Sequence, residues 1–222
     1  MPFFVDTNIA LEYTCIHDKW HKNANKLIAE NYDDKIFWSN LVKDEYNRKL
    51  NNILDDIDVF LKSSKEILRN NENDFLNYYD FEKHIFERTK RCRLDKNKKQ
   101  KILEHYWKKY SFNEGISNII YLKFKNYNEN FKKLYFMRDK ELNNLLILHD
   151  CGQDSYLRYL DYATKIYEWG VHSPDCRIVV DAHDCGTIHN DLTFVSTDRK
   201  MIEILLAHDT SFLNIAEFKS CN

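Results

Sequence analysis

The chain has 222 residues, of which 43% are hydrophobic and 31% are charged, and its formal net charge is −2. This composition excludes an intrinsically disordered chain and a membrane-embedded one, and the length fits one domain that carries an insertion. With only four glycines and two prolines, the chain has no Gly-rich phosphate loop of the P-loop or GxGxxG kind. The first residues, MPFFVDTN, lack the basic and apolar regions of a signal peptide. We therefore expect a cytoplasmic protein that makes no contact with membranes.

The first third of the chain predicts two strands, each followed by a helix. Residues 1–5 form a short apolar run typical of a buried strand, and residues 9–30 have the spacing of a helical stretch. A second apolar run at 36–38 is followed by Ser39, which is a suitable N-cap for the next helix. Apolar residues recur at helical spacing as far as Leu68, so this helix is predicted to be long and amphipathic.

The middle of the chain carries helical patterning and no convincing strand. From about residue 75 to 150 apolar residues recur at helical spacing, with breaks near Asn97 and Gly115. We interpret residues 70–150 as a large helical insertion in the domain that the two ends of the chain build.

The last part of the chain returns to alternating helix and strand. Ser173 is the predicted N-cap, and Pro174 the first residue, of a helix that ends near Gly186. Strands are predicted at 192–195 and 212–215. Strands that alternate with helices at both ends of the chain indicate an α/β fold on a parallel sheet.

Four carboxylates lie at places where such a fold gathers functional side chains. Asp6 and Asp198 come just after predicted strands. Glu45 lies about two turns into the helix after the second strand, and Asp175 lies in the first turn of a later helix. Grouped carboxylates repel one another unless a divalent cation compensates their charge, and Mg²⁺ and Mn²⁺ prefer oxygen ligands of this kind. Taken singly, each acid has an alternative role as a helix cap or a solvated helix residue.

Four short motifs carry these acids along the chain. They are FVDTN at 4–8, WSNLVKDE at 38–45, PDCRIVVDA at 174–182 and FVSTDRKM at 194–201. In order and in setting they resemble the successive motifs of PIN domains, over about residues 1–50 and 170–218. The resemblance implies one PIN-like domain across residues 1–222, a three-layer α/β sandwich on a central parallel sheet that carries the large helical insertion. It also implies metal-dependent hydrolysis of single-stranded RNA or, in some branches of the family, of DNA.

The resemblance also assigns roles to individual residues. The implied catalytic acids, which would also bind Mg²⁺ or Mn²⁺, are Asp6, Glu45, Asp175 and Asp198. Asn8 and Ser196 take the positions of polar residues that hold a ligand or a water in the family. The implied reaction is phosphodiester hydrolysis by a water that one or two metal ions activate, without a covalent enzyme intermediate.

Two questions stay open on the sequence. Asp181 lies six residues after Asp175 on the same predicted helix and points about 240° away from it, so only one of the two can be the third acid. We favour Asp175, because an apolar run follows it as the family's would. A separate set of potential zinc ligands lacks any familiar spacing. Its members are Cys176, His183, Cys185 and His189.

A strongly basic segment interrupts the nearly neutral chain. Between residues 83 and 109, eleven Lys or Arg stand against three acids. This excess, bordered by Tyr106, Trp107 and Tyr110, is typical of single-strand binding, in which cations contact phosphates and aromatic rings stack on bases. The alternative is a solvated helix face whose aromatic residues lie in the core. The residues predicted to bind nucleic acid are Arg88, Lys90, Arg91, Arg93, Lys98 and Lys99.

Three functions are compatible with these features. The first is a PIN-type ribonuclease that acts on single-stranded RNA, with DNA as the alternative substrate. The second is a non-catalytic nucleic-acid-binding scaffold of the same fold, against which the presence of all four acids argues. The third, a phosphatase of small molecules, lacks the DxD signature because residue 8 is Asn. By analogy with the family, we also consider a homodimer and an antitoxin or regulatory protein as partners.

Overall fold

Two units make up the chain in this computed structural model, which describes residues 1–31, 34–90, 92–110, 116–151 and 155–221. The sheet unit comprises Met1–Lys49 and Arg138–Asn222, and the helical unit comprises Leu50–Met137. The helical unit therefore begins and ends earlier than the insertion predicted at 70–150.

Five strands of the sheet unit form one sheet within the described residues, and every pairing is parallel. The strands are β1 (Phe3–Val5), β2 (Ile36–Ser39), β3 (Ile147–His149), β4 (Thr193–Ser196) and β5 (Glu217–Ser220). Their spatial order is β3-β2-β1-β4-β5, so β1, the first strand in the chain, lies at the centre. All residues of β1, β2 and β4 are buried. Because successive side chains point to opposite faces of a sheet, both faces of these strands are covered.

Ten helices complete the described part of the chain. In chain order they are α1 (Thr7–Thr14), α2 (His21–Glu30), α3 (Asn40–Arg69), α4 (Tyr78–Arg88), α5 (Lys96–Lys109), α6 (Ser117–Leu145), α7 (Ser155–Arg158), α8 (Leu160–Glu168), α9 (Asp175–Ile188) and α10 (Arg199–Leu206). The division between the units falls inside α3 and α6. Within the described residues, no helix combines the length and the apolar character that a membrane span requires.

The predicted α/β class with a central parallel sheet is confirmed. Helix α1 packs against β4, α9 against β2 and α10 against β5. Phe4, Trp38 and Phe194, one from each central strand, are among the fully buried side chains of the core. Removal of such large apolar surfaces from water is the main force that holds helices on a sheet. The arrangement is consistent with a three-layer sandwich.

Polar residues at the ends of the three central strands start helices. The Asp6 carboxylate accepts a hydrogen bond from the N–H of Ile9 in α1 at 3.0 Å. The Asp198 carboxylate accepts one from a backbone N–H of α10, also at 3.0 Å. The hydroxyl oxygen of Ser39 accepts one from a backbone N–H of α3 at 3.3 Å, which confirms the predicted N-cap. The caps fix the direction in which each helix leaves the sheet.

The helical stretch predicted at 9–30 is two helices, α1 and α2, separated by a turn. In this turn the N–H of Asp18 donates to the carbonyl of Cys15 at 2.7 Å. The Asp18 carboxylate accepts from the N–H of Trp20 at 3.2 Å. These local hydrogen bonds compete with the helix and end it.

The start of α9 also differs from the prediction. The helix begins at Asp175, and Pro174, which follows a cis peptide bond, lies at the position before it without a side-chain cap. Ser173 is therefore one residue too far from the first free N–H groups to be the N-cap. The helix continues past Gly186 to Ile188.

Two strands lie where the sequence pattern is weak. Strand β3 falls inside 75–150, where no strand is predicted, and its first two residues are each 43% exposed at the edge of the sheet. Three residues are too few to show alternation. The strand predicted at 212–215 is wrong, because this run forms a loop in which two apolar residues are buried. Strand β5 begins only after this loop. Within β5 only Phe218 is buried, so this strand has no apolar run.

Gly186 lies where α9 passes close to the loop before β5. A Cβ atom at Gly186 would lie 1.7 Å from the carbonyl oxygen of Asn214. We expect Gly186→Ala to lower the free energy of unfolding by about 2 kcal/mol or more, because the backbone at Asn214 has to move. Ile188→Ala, at an exposed position of the same helix, should change it by less than about 0.5 kcal/mol. Denaturant unfolding measures both, and equal stability of the two variants would contradict this packing.

Candidate functional site

The predicted acids lie on elements that meet at the carboxyl edge of the sheet. Asp6 follows β1 and Asp198 follows β4, two strands that pair directly. Glu45 lies in α3, which begins after β2, the other neighbour of β1. Asp175 is the first residue of α9. Functional crevices of parallel α/β sheets lie at this edge.

Asp6 is the most deeply buried of the four acids, with 3% of its surface exposed. Its carboxylate accepts hydrogen bonds from the N–H of Ile9 and from the hydroxyl of Ser196. Burial raises the pKa of Asp6 to about 6, while these hydrogen bonds oppose the shift and the charge of Asp175 adds to it. Asp6 is therefore ionised at neutral pH in a place that disfavours the ionised form, and a nearby cation would relieve this.

Glu45 is held by its neighbours. It is buried, and its Oε2 atom accepts a hydrogen bond from the hydroxyl of Thr7 at 2.7 Å. Its Oε1 atom lies 2.9 Å from Nζ of Lys49 and 4.0 Å from the guanidinium of Arg48. Burial acts to raise the pKa of Glu45, but the hydrogen bonds from Thr7 and Lys49 and the two positive charges outweigh it, so the pKa lies below its usual value. This carboxylate is ionised with both oxygens engaged.

Asp175 links the four acids electrostatically. Burial raises the pKa of Asp175, and the negative charges of Glu45 and Asp198 raise it further. The charge of Asp175 in turn raises the pKa of Asp6. Asp175 and Asp198 are both half-buried. The structure thus brings all four predicted acids together in a region of excess negative charge, which Lys49 offsets in part.

Both predicted supporting residues lie beside Asp6. Ser196 is fully buried, and its hydroxyl donates to Oδ2 of Asp6 and accepts from the N–H of Asp198 at 2.9 Å. Asn8 lies half-buried in the first turn of α1, and its backbone N–H helps to stabilise the Asp6 carboxylate. Ser196 therefore links the Asp6 carboxylate to the backbone of Asp198, and its hydrogen bond to the ionised Asp6 fixes the orientation of that carboxylate.

Three further residues contribute to the site without having been predicted. Thr7 holds Glu45 and lies inside the FVDTN motif, which is the signal that could have identified it. Lys49 follows Glu45 by four residues, the spacing of an ion pair on one helix face. Glu12 is buried, and its carboxylate accepts a hydrogen bond from the hydroxyl of Thr197 at 2.8 Å. No local pattern marks Glu12 as a buried acid.

The donor set fits a hard divalent cation. Carboxylate oxygens are preferred ligands of Mg²⁺ and Mn²⁺. Burial and, after it, neighbouring carboxylates raise the pKa values of Asp6 and Asp175, so a cation here would stabilise their ionised forms. All four acids lie in the described part of the chain, and no three of them bring oxygen atoms within 4.8 Å of one another. A cation here would therefore be held by some carboxylates directly and by others through water, as is common for Mg²⁺.

Asp181, the alternative third acid, belongs to a different group of side chains. Its negative charge and its hydrogen bond both raise the pKa of the Cys151 thiol. The charge of Asp175 instead raises the pKa of Asp6, and the charge of Glu45 raises the pKa of Asp175. The structure therefore places Asp175, and not Asp181, with the other acids.

The four potential zinc ligands expected from the sequence do not form one cluster. The Nδ1 atom of His183 accepts a hydrogen bond from the N–H of Asn214 at 2.9 Å. The ring of His189 stacks on Phe37, with ring centroids 4.4 Å apart. The two cysteines of the set are free and buried. In the described ranges, one group of three metal-ligating side chains has its ligand atoms within 4.8 Å of one another, and it contains none of these four residues.

The basic segment of the helical unit retains part of its predicted binding surface. Arg88, Lys90 and Arg93 are exposed, and Lys98 is half-buried. Arg91 lies outside the described residues. Exposed cations on neighbouring turns and loops are able to contact phosphates, so three of the six predicted residues have the required exposure.

Lys99 and two aromatic residues of this segment belong instead to the core of the helical unit. Lys99 is buried, and its ammonium group donates to the carbonyls of Thr89 and Cys92 at 3.1 and 3.0 Å. This makes Lys99 a structural residue that phosphates cannot reach, so its predicted role is corrected. The hydroxyl of Tyr106 donates to a backbone carbonyl of α6 at 2.7 Å, and Trp107 is buried. The core location considered as the alternative is thus confirmed for both rings.

Replacing Asp6 by Asn tests whether its buried charge is uncompensated. The folded protein binds more protons at Asp6 than the unfolded chain between about pH 4 and 6, because the pKa is about 6 in the folded state and 3.8 ordinarily. The contribution of Asp6 to the free energy of unfolding therefore falls as the pH rises through that window. In EDTA we expect Asp6→Asn to match the wild type near pH 4 and to be more stable by roughly 1 to 3 kcal/mol at neutral pH.

Urea unfolding across this pH range measures the difference. Glu217→Gln, at an exposed position of β5, controls for the loss of one negative charge. If Asp6→Asn is less stable than the wild type at neutral pH, the hydrogen bonds of the Asp6 carboxylate outweigh the burial of its charge. The site would then have no excess charge at Asp6 for a cation to compensate.

Comparison of the chain with protein-family models, with curated proteins and with solved structures gives no match. The resemblance to PIN domains therefore depends on the four short motifs and on the geometry that the fold gives to their acids.

Proposed function

We propose that the protein is a PIN-type endoribonuclease that hydrolyses phosphodiester bonds of single-stranded RNA with Mg²⁺ or Mn²⁺. The observation that carries the proposal is the placement of the four acids at the carboxyl edge of a parallel sheet, where Asp6 and Asp198 follow paired strands and the charge of Asp175 interacts with those of the other three acids. Four carboxylates from four separate segments, in the motif order of PIN domains, are suited to metal-dependent phosphodiester hydrolysis. Single-stranded DNA is the alternative substrate.

The acids differ in what they contribute to this chemistry. When bound, a divalent cation lowers the pKa of a coordinated water and neutralises charge on the phosphate. Burial and neighbouring carboxylates raise the pKa values of Asp6 and Asp175, so a cation would stabilise their ionised forms, and we assign them to direct contact with it. Asp198 also caps α10, and Glu45 is engaged by Lys49, so we assign both to holding the cation through one oxygen or through water. Ser196 orients Asp6 relative to Asp198.

The basic segment supports a polyanionic substrate over a small phosphate ester. Arg88, Lys90 and Arg93 offer exposed positive charge in the helical unit, and contacts to successive phosphates are the main source of sequence-independent affinity for nucleic acids. The burial of Tyr106 and Trp107 removes two rings that would have stacked on bases. We therefore expect binding that is governed by phosphate contacts and has little sequence preference.

A non-catalytic nucleic-acid-binding scaffold of the same fold is the second candidate. The ion pairs of Glu45 with Lys49 and Arg48 favour it, because they already satisfy a carboxylate that the metal site would use. The two candidates differ in one property, which is turnover in the presence of metal.

Cleavage of end-labelled single-stranded RNA tests the proposal. The wild type is compared with Asp6→Asn and Asp198→Asn in Mn²⁺, in Mg²⁺ and in EDTA. We expect the wild type to cut with either metal and not in EDTA. Both variants should lose on the order of 100-fold in rate or more, because each removes one carboxylate charge from the metal site.

The exposed variant Glu217→Gln should cut as the wild type does. Parallel reactions on single-stranded DNA establish the preferred substrate. A wild type that binds RNA in a salt-sensitive manner but cuts with neither metal would contradict the nuclease and support the scaffold.

Removal of exposed cations tests the basic segment. We expect the triple variant Arg88→Ala, Lys90→Ala, Arg93→Ala to weaken RNA binding by about tenfold or more. The slope of log affinity against log salt should fall in magnitude by about 2, because each phosphate contact to a single strand contributes about 0.7. Fluorescence anisotropy over a salt series measures both quantities in the presence of EDTA, which prevents cleavage.

The matched control removes three exposed lysines of α6 in the same unit, in the variant Lys123→Ala, Lys125→Ala, Lys133→Ala. Its binding should change much less. Equal weakening in the two triple variants would show a general charge effect and contradict a localised binding surface.

A further inference from the structure

A second cluster of polar side chains lies in the sheet unit, apart from the four acids. His149 ends β3, Cys151 follows it by two residues, and Asp184 lies in α9. One ligand atom from each lies within 4.8 Å of the other two, and Nε2 of His149 is 3.0 Å from Oδ2 of Asp184. All three side chains are buried. The cluster therefore offers an imidazole nitrogen, a sulfur and a carboxylate oxygen around one point.

The fold determines where this cluster lies. Strand β3 pairs with β2 so that His149 stands opposite Ser39. Helix α9 packs against β2 and brings Asp184 beside His149. Asp184 comes nine residues after Asp175 in α9, about 13 Å further along the helix axis. The cluster is thus separate from the four acids, although His149 also lies at the carboxyl end of its strand.

Asp181 lies next to this cluster, although its carboxylate is not among the ligand atoms that lie within 4.8 Å of one another. It precedes Asp184 by three residues, so both carboxylates lie on one side of α9. Asp181 is buried, and its side chain forms a hydrogen bond with the thiol of Cys151. Burial raises the pKa of this thiol, and the charges of Asp181 and Asp184 raise it further.

We propose that His149, Cys151, Asp181 and Asp184 bind a structural Zn²⁺ ion. His149, Cys151 and Asp184 supply one nitrogen, one sulfur and one carboxylate oxygen, and Asp181, turned from the Cys151 thiol toward the metal, would supply the fourth ligand of a tetrahedral zinc site. Thiolate and imidazole favour zinc over hard cations, so this site is chemically distinct from the Mg²⁺ or Mn²⁺ site proposed at the four acids. When zinc binds, the S–H bond of Cys151 breaks, the proton passes to solvent, and the sulfur binds the metal as a thiolate. Zinc also replaces the hydrogen bond between His149 and Asp184.

Arg158 supports the metal site from the other side of Asp184. Its guanidinium lies 3.4 Å from Oδ1 of Asp184, while Oδ2 of the same carboxylate faces His149. The Arg158 side chain is 61% exposed, so it remains hydrated in this contact. A thiolate and two carboxylates around Zn²⁺ leave one negative charge, which Arg158 offsets. Partners of this kind orient a carboxylate ligand and tune its affinity for the metal.

The zinc ion would join the edge of the sheet to α9. Strand β3 has three residues and one neighbouring strand, and two of its side chains are largely exposed. A bond network from His149 through the metal to Asp184 would hold this strand in place. With Asp181 as the fourth ligand no coordination position is left open, which is the arrangement of a structural zinc site. It is independent of the proposed nuclease function.

Cobalt substitution in the full chain tests the zinc site. Metal-free protein is titrated with Co²⁺, whose thiolate charge-transfer band in the near ultraviolet reports the sulfur ligand and whose visible bands report tetrahedral geometry. We expect one equivalent of Co²⁺ to produce both features, Zn²⁺ to displace it and Mg²⁺ to leave it in place. In competition with a chromogenic chelator, Cys151→Ser and His149→Asn should each lower the zinc affinity on the order of 100-fold.

Cys185→Ser, which changes another buried thiol of α9, and Asp6→Asn are the matched controls and should keep the cobalt spectrum. Circular dichroism verifies that each variant folds. If Cys151→Ser does not fold, the test is made with His149→Asn. A wild type without tetrahedral cobalt bands, or a charge-transfer band that persists in Cys151→Ser, would overturn the zinc site. The cluster would then be a buried His–Asp hydrogen bond beside a free thiol. Either result leaves RNA cleavage in Mn²⁺ unaffected, so failure of this site is distinguishable from failure of the nuclease.

Discussion

Parallel pairing of β1 with β2 on one side and with β4 on the other is the constraint on which the candidate site depends. β1 has three residues and holds the centre of the sheet because both of its faces are buried. Its neighbours end at the same edge, so the helices that start at Asp6, Ser39 and Asp198 all leave the sheet there. Loss of either pairing would separate Asp6 from Glu45 or from Asp198, and no local hydrogen bond could restore the group.

The electrostatic balance within this group is uneven. The protein compensates the charge of Glu45 with Thr7 and Lys49, whereas burial and neighbouring negative charge raise the pKa values of Asp6 and Asp175. Helix capping accounts for Asp6 and Asp198 taken alone, but it does not account for the accumulation of like charge in a partly buried place. The proposed divalent cation would compensate this charge, and this is the reason why we propose a metal-dependent enzyme in preference to a scaffold.

Sequence patterns predicted the elements that carry a clear local apolar pattern. The other features depend on contacts between segments that are distant in the chain. Runs of apolar residues identified β1, β2 and β4, and helical spacing identified α3. Strands β3 and β5 are short edge strands that depend on pairing more than on pattern, and they were missed or misplaced. The order of the motifs identified the acids. The contact of Thr7 with Glu45, the burial of Lys99 and the cluster around His149 arise only when separate segments meet.

The central claim is that the acids at the carboxyl edge hold a divalent cation. A crystal structure of the full chain grown with Mn²⁺, with anomalous data collected at the manganese edge, tests it most directly. The account predicts an anomalous peak in contact with the carboxylates of Asp6 and Asp175, and its absence in crystals of Asp6→Asn. Crystals grown with saturating Mn²⁺ that show no anomalous peak at this edge, or peaks only on exposed acids elsewhere, would contradict it.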